Sequence, residues 1–129
     1  MSGEADRVSL TIPARVDLIG LARLALSVVC RRASLAPDEV ADLKLALTEA
    51  AGAFVTERDV FDGDISGRVS FDFSTDAGRL VIEVAGSDQR EIGTEERDLS
   101  RAILEATVDE WSPGPGQVRL VKYLDRHGQ

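Results

Sequence analysis

Two helical periodicities stand back to back near the start of this chain, and residues alternating with a period of two follow them. From Val16 to Arg32 the apolar residues Leu18, Ile19, Leu21, Ala22, Ala25, Leu26, Val29 and Cys30 recur at helical spacing. Their band is wide, which implies either two buried faces or one core face and one partner face. Arg31 and Arg32 fall in the last turn, where cations complement the helix dipole. A second helix begins near Pro37, a residue favoured at the first helical position, with Asp38 and Glu39 in its first turn. After an acidic, glycine-containing loop over Glu57–Gly67, Val69, Phe71 and Phe73 alternate as one strand and Leu80, Ile82 and Val84 as the next. The turn Asp76-Ala77-Gly78 between them makes a hairpin. Two adjacent long helices ahead of a hairpin disfavour a ferredoxin-like order.

The ends complete the pattern. Residues 1–6 read as a disordered start, and Val8, Leu10 and Ile12 alternate as a half-buried strand that Pro13 ends. Gly86–Glu96 is polar. A third helix is expected from about Glu95 to Trp111, with Leu99, Ala102, Ile103, Ala106 and Val108 or Trp111 inward. Ser112-Pro-Gly-Pro-Gly116 breaks it as a turn, and Val118–Leu124 forms the last strand. The expected fold is a two-layer α+β sandwich, a mostly antiparallel sheet of about four strands with three helices on one face. With 129 residues and no linker or repeat, residues 1–129 form a single domain.

Composition removes several kinds of chemistry. Hydrophobic residues make up 43% and charged residues 29%, an ordinary globular balance with no run long enough for a membrane span. No export signal opens the chain, so a cytoplasmic location is expected. Cys30 and His127 are the only residues of their types, which leaves no intrachain disulfide and no expected metal site. A formal charge of -8 argues against binding nucleic acid and favours a basic protein partner.

The remaining candidate for chemistry is a carboxylate. In the second helix Val40, Leu43, Leu47, Ala50 and Phe54 fall on one stripe. Glu49, the only charge between Leu45 and Thr56, lies nearly opposite, flanked by Leu45, Gly52 and Ala53. An ordinary solvated helix face would carry several charges.

Several segments together are similar to the RsbW-type anti-sigma factors, a small serine-kinase branch of the GHKL ATPases that share the Bergerat fold with histidine-kinase catalytic domains. They are Leu10-Thr-Ile-Pro-Ala14 leading into an Arg-containing helix, Asp42-Leu-Lys-Leu-Ala-Leu-Thr-Glu-Ala50, the hairpin, and Ile103–Glu110 followed by Val118-Arg-Leu-Val-Lys122. The resemblance implies a nucleotide site with three motifs. In the first, a base glutamate is followed four residues later by an asparagine that ligates Mg²⁺; here Glu49 matches, but the second position is Ala53. A methyl group cannot ligate a cation that demands oxygen donors. The second is an Asp-x-Gly that receives adenine, and here that place reads Gly86-Ser-Asp88. The third is a glycine-rich turn against the phosphates. Here Gly93 is followed by Glu95, Glu96 and Asp98, with Leu99 and Ser100 at the turn. Carboxylates beside a polyphosphate repel it.

The resemblance therefore implies a regulator that keeps the fold and has lost the nucleotide, with no cofactor expected. It implies a sigma factor and a STAS-type anti-anti-sigma protein as partners. It also points to Arg15 and Arg23 as partner contacts and to a homodimer face on the first helix and first strand. Glu49 is then a relic, an ordinary exposed residue or a working base. The alternative is an active serine kinase on a STAS-domain partner that uses Mg-ATP, with Asp88 as a displaced adenine ligand. A third reading is a different small molecule in an apolar cavity lined by Leu45, Ala53 and Val84.

Overall fold

The computed structural model describes residues 7–55, 67–87 and 91–124. The start at 1–6, most of the Glu57–Gly67 loop, and Asp88 lie outside the described residues. In chain order the elements are β1 (Arg7–Pro13), a 3-10 turn (Val16–Leu18), α1 (Ile19–Arg32), α2 (Pro37–Ala51), β2 (Arg68–Asp76), β3 (Arg79–Gly86), α3 (Thr94–Thr107), β4 (Glu110–Gly114) and β5 (Gln117–Tyr123). The strands form one sheet in the order β1-β2-β3-β5-β4, with every neighbouring pair antiparallel. The expected two-layer α+β sandwich is what the chain forms.

Strand register explains the core. Leu10, Phe71, Val84 and Val118 lie in one rung across β1, β2, β3 and β5. Val8, Phe73, Ile82, Leu120 and Trp111 lie in the next. Alternation puts these side chains on the face that the helices cover. The opposite face carries Ser9, Asp72, Glu83, Arg119 and Ser112 across one rung, with the buried pair Val81 and Val121 on the next. Ion pairs Arg7–Asp72 and Arg119–Glu83, each at 3.6 Å, lie on this face. Helix α2 lies centrally, in contact with α1, α3 and β3, and buries Leu43, Ala46, Leu47, Ala50 and Ala51. Its first turn is capped by the Glu39 carboxylate, which accepts from the Ala36 N–H at 3.0 Å. Lys122, whose side chain is only 17% exposed, bridges Glu39 at 3.6 Å and Asp109 at 3.8 Å, tying α2 to β5 and to the residue just before β4.

The third helix is shorter than its periodicity implies, and a fifth strand takes the remainder. Thr107 turns its hydroxyl back to the Ile103 carbonyl at 2.7 Å, and Val108 is already extended at φ -130°. Both are β-branched residues that leave a helix readily. Glu110–Gly114 then pairs with β5, so Ser112 and Pro113 belong to a strand and only Pro115-Gly116 turns. Pro113 is tolerated because β4 is the sheet edge. Gly116 has φ +70°, which fits Pro-Gly at the centre of a type II turn. The inward face of α3 is also different from expectation. Leu104 and Thr107 are buried and Ile103 half-buried, whereas Ala102 and Ala106 are exposed and Leu99 is 62% exposed. Trp111 packs partly buried against the core.

Helix α1 ends in a paired-carbonyl cap. The Leu35 N–H donates to the Cys30 carbonyl and the Ser34 N–H to the Arg31 carbonyl, each at 3.3 Å, with Ser34 at φ +60°. This left-handed position favours glycine. Ser34→Gly is expected to stabilise the fold by about 0.5 kcal/mol, the relief of side-chain strain exceeding the added unfolded-state entropy. A urea midpoint that falls would show that the Ser34 side chain contributes more than its strain costs.

Candidate functional site

A cleft of about 180 Å³ opens between the end of α2 and the start of α3. Thr48, Glu49, Gly52 and Ala53 form one wall, and Ile92, Glu96 and Ser100 form the other. The spacing of Thr48, Glu49 and Gly52 puts them on the side of α2 that faces away from its buried stripe. Glu49 is half-buried, so it is neither sealed in the core nor fully solvated. Carboxylates thus stand on both walls, with hydroxyls from Thr48 and Ser100 beside them and a methyl group from Ala53 where the resemblance places a metal ligand.

Helix α2 ends at Ala51, and the Gly52 N–H reaches back to the Thr48 and Glu49 carbonyls at 3.0 and 3.2 Å. The chain then turns so that Ala53 faces the cleft while Phe54, 3% exposed, enters the core. Behind this turn stands Gly86, the last residue of β3, whose N–H donates to the Gly116 carbonyl at 3.0 Å. A Cβ at Gly86 would lie 2.5 Å from the Phe54 ring. Glu49, Ala53 and Ser100 therefore meet in one cleft, while Gly86 lies beneath Phe54 and does not line it.

Of the two arginines, Arg23 lies closer to this cleft. Its Nη1 donates to the Thr48 hydroxyl at 3.1 Å, and that hydroxyl donates to the Lys44 carbonyl at 2.8 Å. Arg15 stays at the approach to α1, where its guanidinium makes a two-pronged contact with Asp17 at 3.0 and 2.7 Å. Thr48 and Ile92 carried no signal in the sequence, because their roles depend on α3 lying against α2.

Among the described residues, Leu45, Ala53 and Val84 do not come together around the apolar cavity expected of them. Leu45 is half exposed, Val84 is fully buried in the core, and Ala53 faces the polar cleft. A second cavity, of about 190 Å³, lies at the far end of α1 among Val8, Val29, Arg32, Ala33, Phe73, Thr75 and Leu124, and holds none of the expected site residues. Among the described residues no group of three metal-binding side chains occurs, and no helix is long and apolar enough to cross a membrane.

No family model matches the chain. Individual relatives do. The chain is 33% identical over 125 residues to the serine-protein kinase RsbW of Bacillus subtilis (strain 168), covering 96% of this chain and 77% of that protein. It is 32% identical over the same shares to the protein of that name from Bacillus velezensis. The corresponding protein of Listeria innocua is 29% identical over 80 residues, 62% of this chain and 50% of its own length. Similarity at this level, spread over nearly the whole fold with Glu49 turned into the cleft, shows that the chain belongs to the RsbW family of serine-protein kinases.

Proposed function

We propose that this chain is an anti-sigma-type regulator that binds a sigma factor and a STAS-type anti-anti-sigma protein by partner switching in the cytoplasm, and that it does so without nucleotide. Two features support the reading: the similarity to serine-protein kinases across 96% of the chain, and a cleft whose lining is wrong for Mg-ATP. The Ala53 side chain offers no oxygen to a cation that demands oxygen ligands. Glu96 places negative charge on the wall where a polyphosphate would need backbone N–H groups. The glycine at position 86 is covered by Phe54. A net charge of -8 suits basic partners through electrostatic steering.

Self-association is part of the proposal. Helix α1 buries Ile19, Ala22, Leu26, Val29 and Cys30 and leaves Leu21, Leu24 and Val28 exposed on a second stripe. That stripe lies on the helix next to β1, which is the sheet's edge strand. A two-fold pairing of α1 helices would cover both copies of the stripe and oppose their dipoles.

Thermal unfolding with millimolar Mg-ATP or Mg-ADP, alongside binding to a STAS-domain protein and a sigma factor of the same organism, tests the nucleotide-free reading. The expected result is complex formation that is indifferent to nucleotide, and an unmoved midpoint. Ligand at about 100 times its dissociation constant would add about 2.7 kcal/mol and raise the midpoint by several degrees. Such a rise would favour the second reading, an active serine kinase, which the retention of Glu49 in the cleft supports. Glu49→Ala would then abolish phosphotransfer to the STAS protein.

A further inference from the structure

Gly86 is a glycine without a conformational reason to be one. Its φ lies outside the left-handed region, which among the described glycines only Gly78 and Gly116 occupy. What the position requires is the absence of a side chain. A Cβ there would sit 2.5 Å from Cγ and Cδ1 of Phe54 and 2.6 Å from its Cβ, closer than real Cβ atoms come. The aromatic ring therefore lies directly on the backbone of β3, in a flat slot between that strand's last residue and the turn that closes α2. The slot shares this turn with the cleft, since Gly52 and Ala53 line the cleft while Phe54, the next residue, fills the slot. A slot of this kind, floored by a bare Cα, is shaped for a planar ring. The chain supplies the ring itself.

We infer that Phe54 is an intramolecular plug: its ring occupies the slot over Gly86 that would otherwise take the planar ring of a heteroaromatic ligand, and it is the residue that excludes such ligands from this end of the cleft. The inference rests on the nucleotide-free reading and deepens it, because it assigns the exclusion to one side chain beyond the missing oxygen at Ala53. Removing the ring leaves an apolar void beside a polar cleft. Apolar voids of this kind stay dry and take up flat aromatic molecules. The ligand class is a neutral planar heterocycle, without phosphates that Glu49 and Glu96 would repel.

The experiment compares wild type with Phe54→Ala, using adenosine and benzimidazole as probes, read by thermal midpoint and by titration calorimetry, with far-ultraviolet circular dichroism to confirm the fold. The expected result is saturable binding and a midpoint rise of several degrees for Phe54→Ala with either probe, and no response from wild type. A folded Phe54→Ala chain that answers neither probe overturns the plug and leaves the nucleotide-free reading untouched. A wild-type chain that binds the probes as well as the variant also overturns it. A wild-type response to Mg-ATP instead overturns the nucleotide-free reading. Should Phe54→Ala fail to fold, Phe54→Val is read by the same criterion. Gly86→Ala checks the contact itself: it should lower the wild-type midpoint by several degrees and the Phe54→Val midpoint by clearly less. Equal losses in both backgrounds would sink the slot.

Discussion

A Leu24→Asp chain is expected to sediment as a monomer of 13.9 kDa where the native chain sediments at twice that mass. Leu24 is 66% exposed at the centre of the α1 stripe, with Leu21 one turn before it and Val28 one turn after. Because it contributes little to its own fold, the substitution should change the stability of an isolated chain by no more than about 0.5 kcal/mol. Across a two-fold interface the aspartate enters twice, and each buried carboxylate would lack a partner among leucine and valine side chains. Desolvation of even one such group costs at least about 3 kcal/mol, more than 100-fold in the dissociation constant. Sedimentation equilibrium at micromolar concentration separates the cases. A native chain that remains monomeric at 100 times that concentration would remove the dimer from the proposal. A Leu24→Asp chain that stays dimeric would move the interface off α1.

Much of this architecture was legible because burial imposes a period. Phe71, Phe73, Leu80, Ile82 and Val84 alternate, and all five are fully buried on one face. In α2, Leu43, Leu47 and Ala50 follow the helical stripe and are buried in the same way, and Phe54, in the turn just past the helix, is buried with them. Legibility failed where periodicity and termination compete. Leu99, Ala102 and Ala106 satisfy a helical period, yet α3 turns Leu104 and Thr107 inward instead. Edge strand β4 contains proline and glycine, which ordinarily mark a turn, and only its pairing with β5 makes it a strand. For the site, the isolation of Glu49 in the sequence pointed to the side of α2 that lines the cleft. On the opposite wall Glu96 and Ser100 came only from the resemblance, and Ile92 could not be read, since nothing local says that it will face Thr48. The contact of Phe54 with Gly86 was equally hidden: as the last member of an apolar stripe, Phe54 looked like any other core residue.

Cys30 should be silent to thiol reagents in the native protein at pH 8 and fully reactive once the chain is unfolded in guanidinium. It is 1% exposed on the buried face of α1. Burial pushes its thiol up from the ordinary value of 9.0 to about 11, with Lys44 opposing the shift and Glu39 adding to it. The thiolate is the reactive form, so two decades of pKa suppress labelling about 100-fold before steric access is counted. Residual labelling of the native protein then measures how often α1 opens. The same shift makes stability depend on pH. Below pH 9.0 both folded and unfolded thiols are protonated, and Cys30 contributes no slope. Between 9.0 and about 11 the unfolded chain releases the proton while the folded chain holds it, so stability falls as pH rises. The loss is on the order of 2–3 kcal/mol across that window and ends once the folded thiol also ionises. Subtracting the pH profile of Cys30→Ala from that of the native chain isolates this slope from other groups. Stoichiometric labelling of the native protein within minutes at pH 8 would place Cys30 outside the core and remove both effects together.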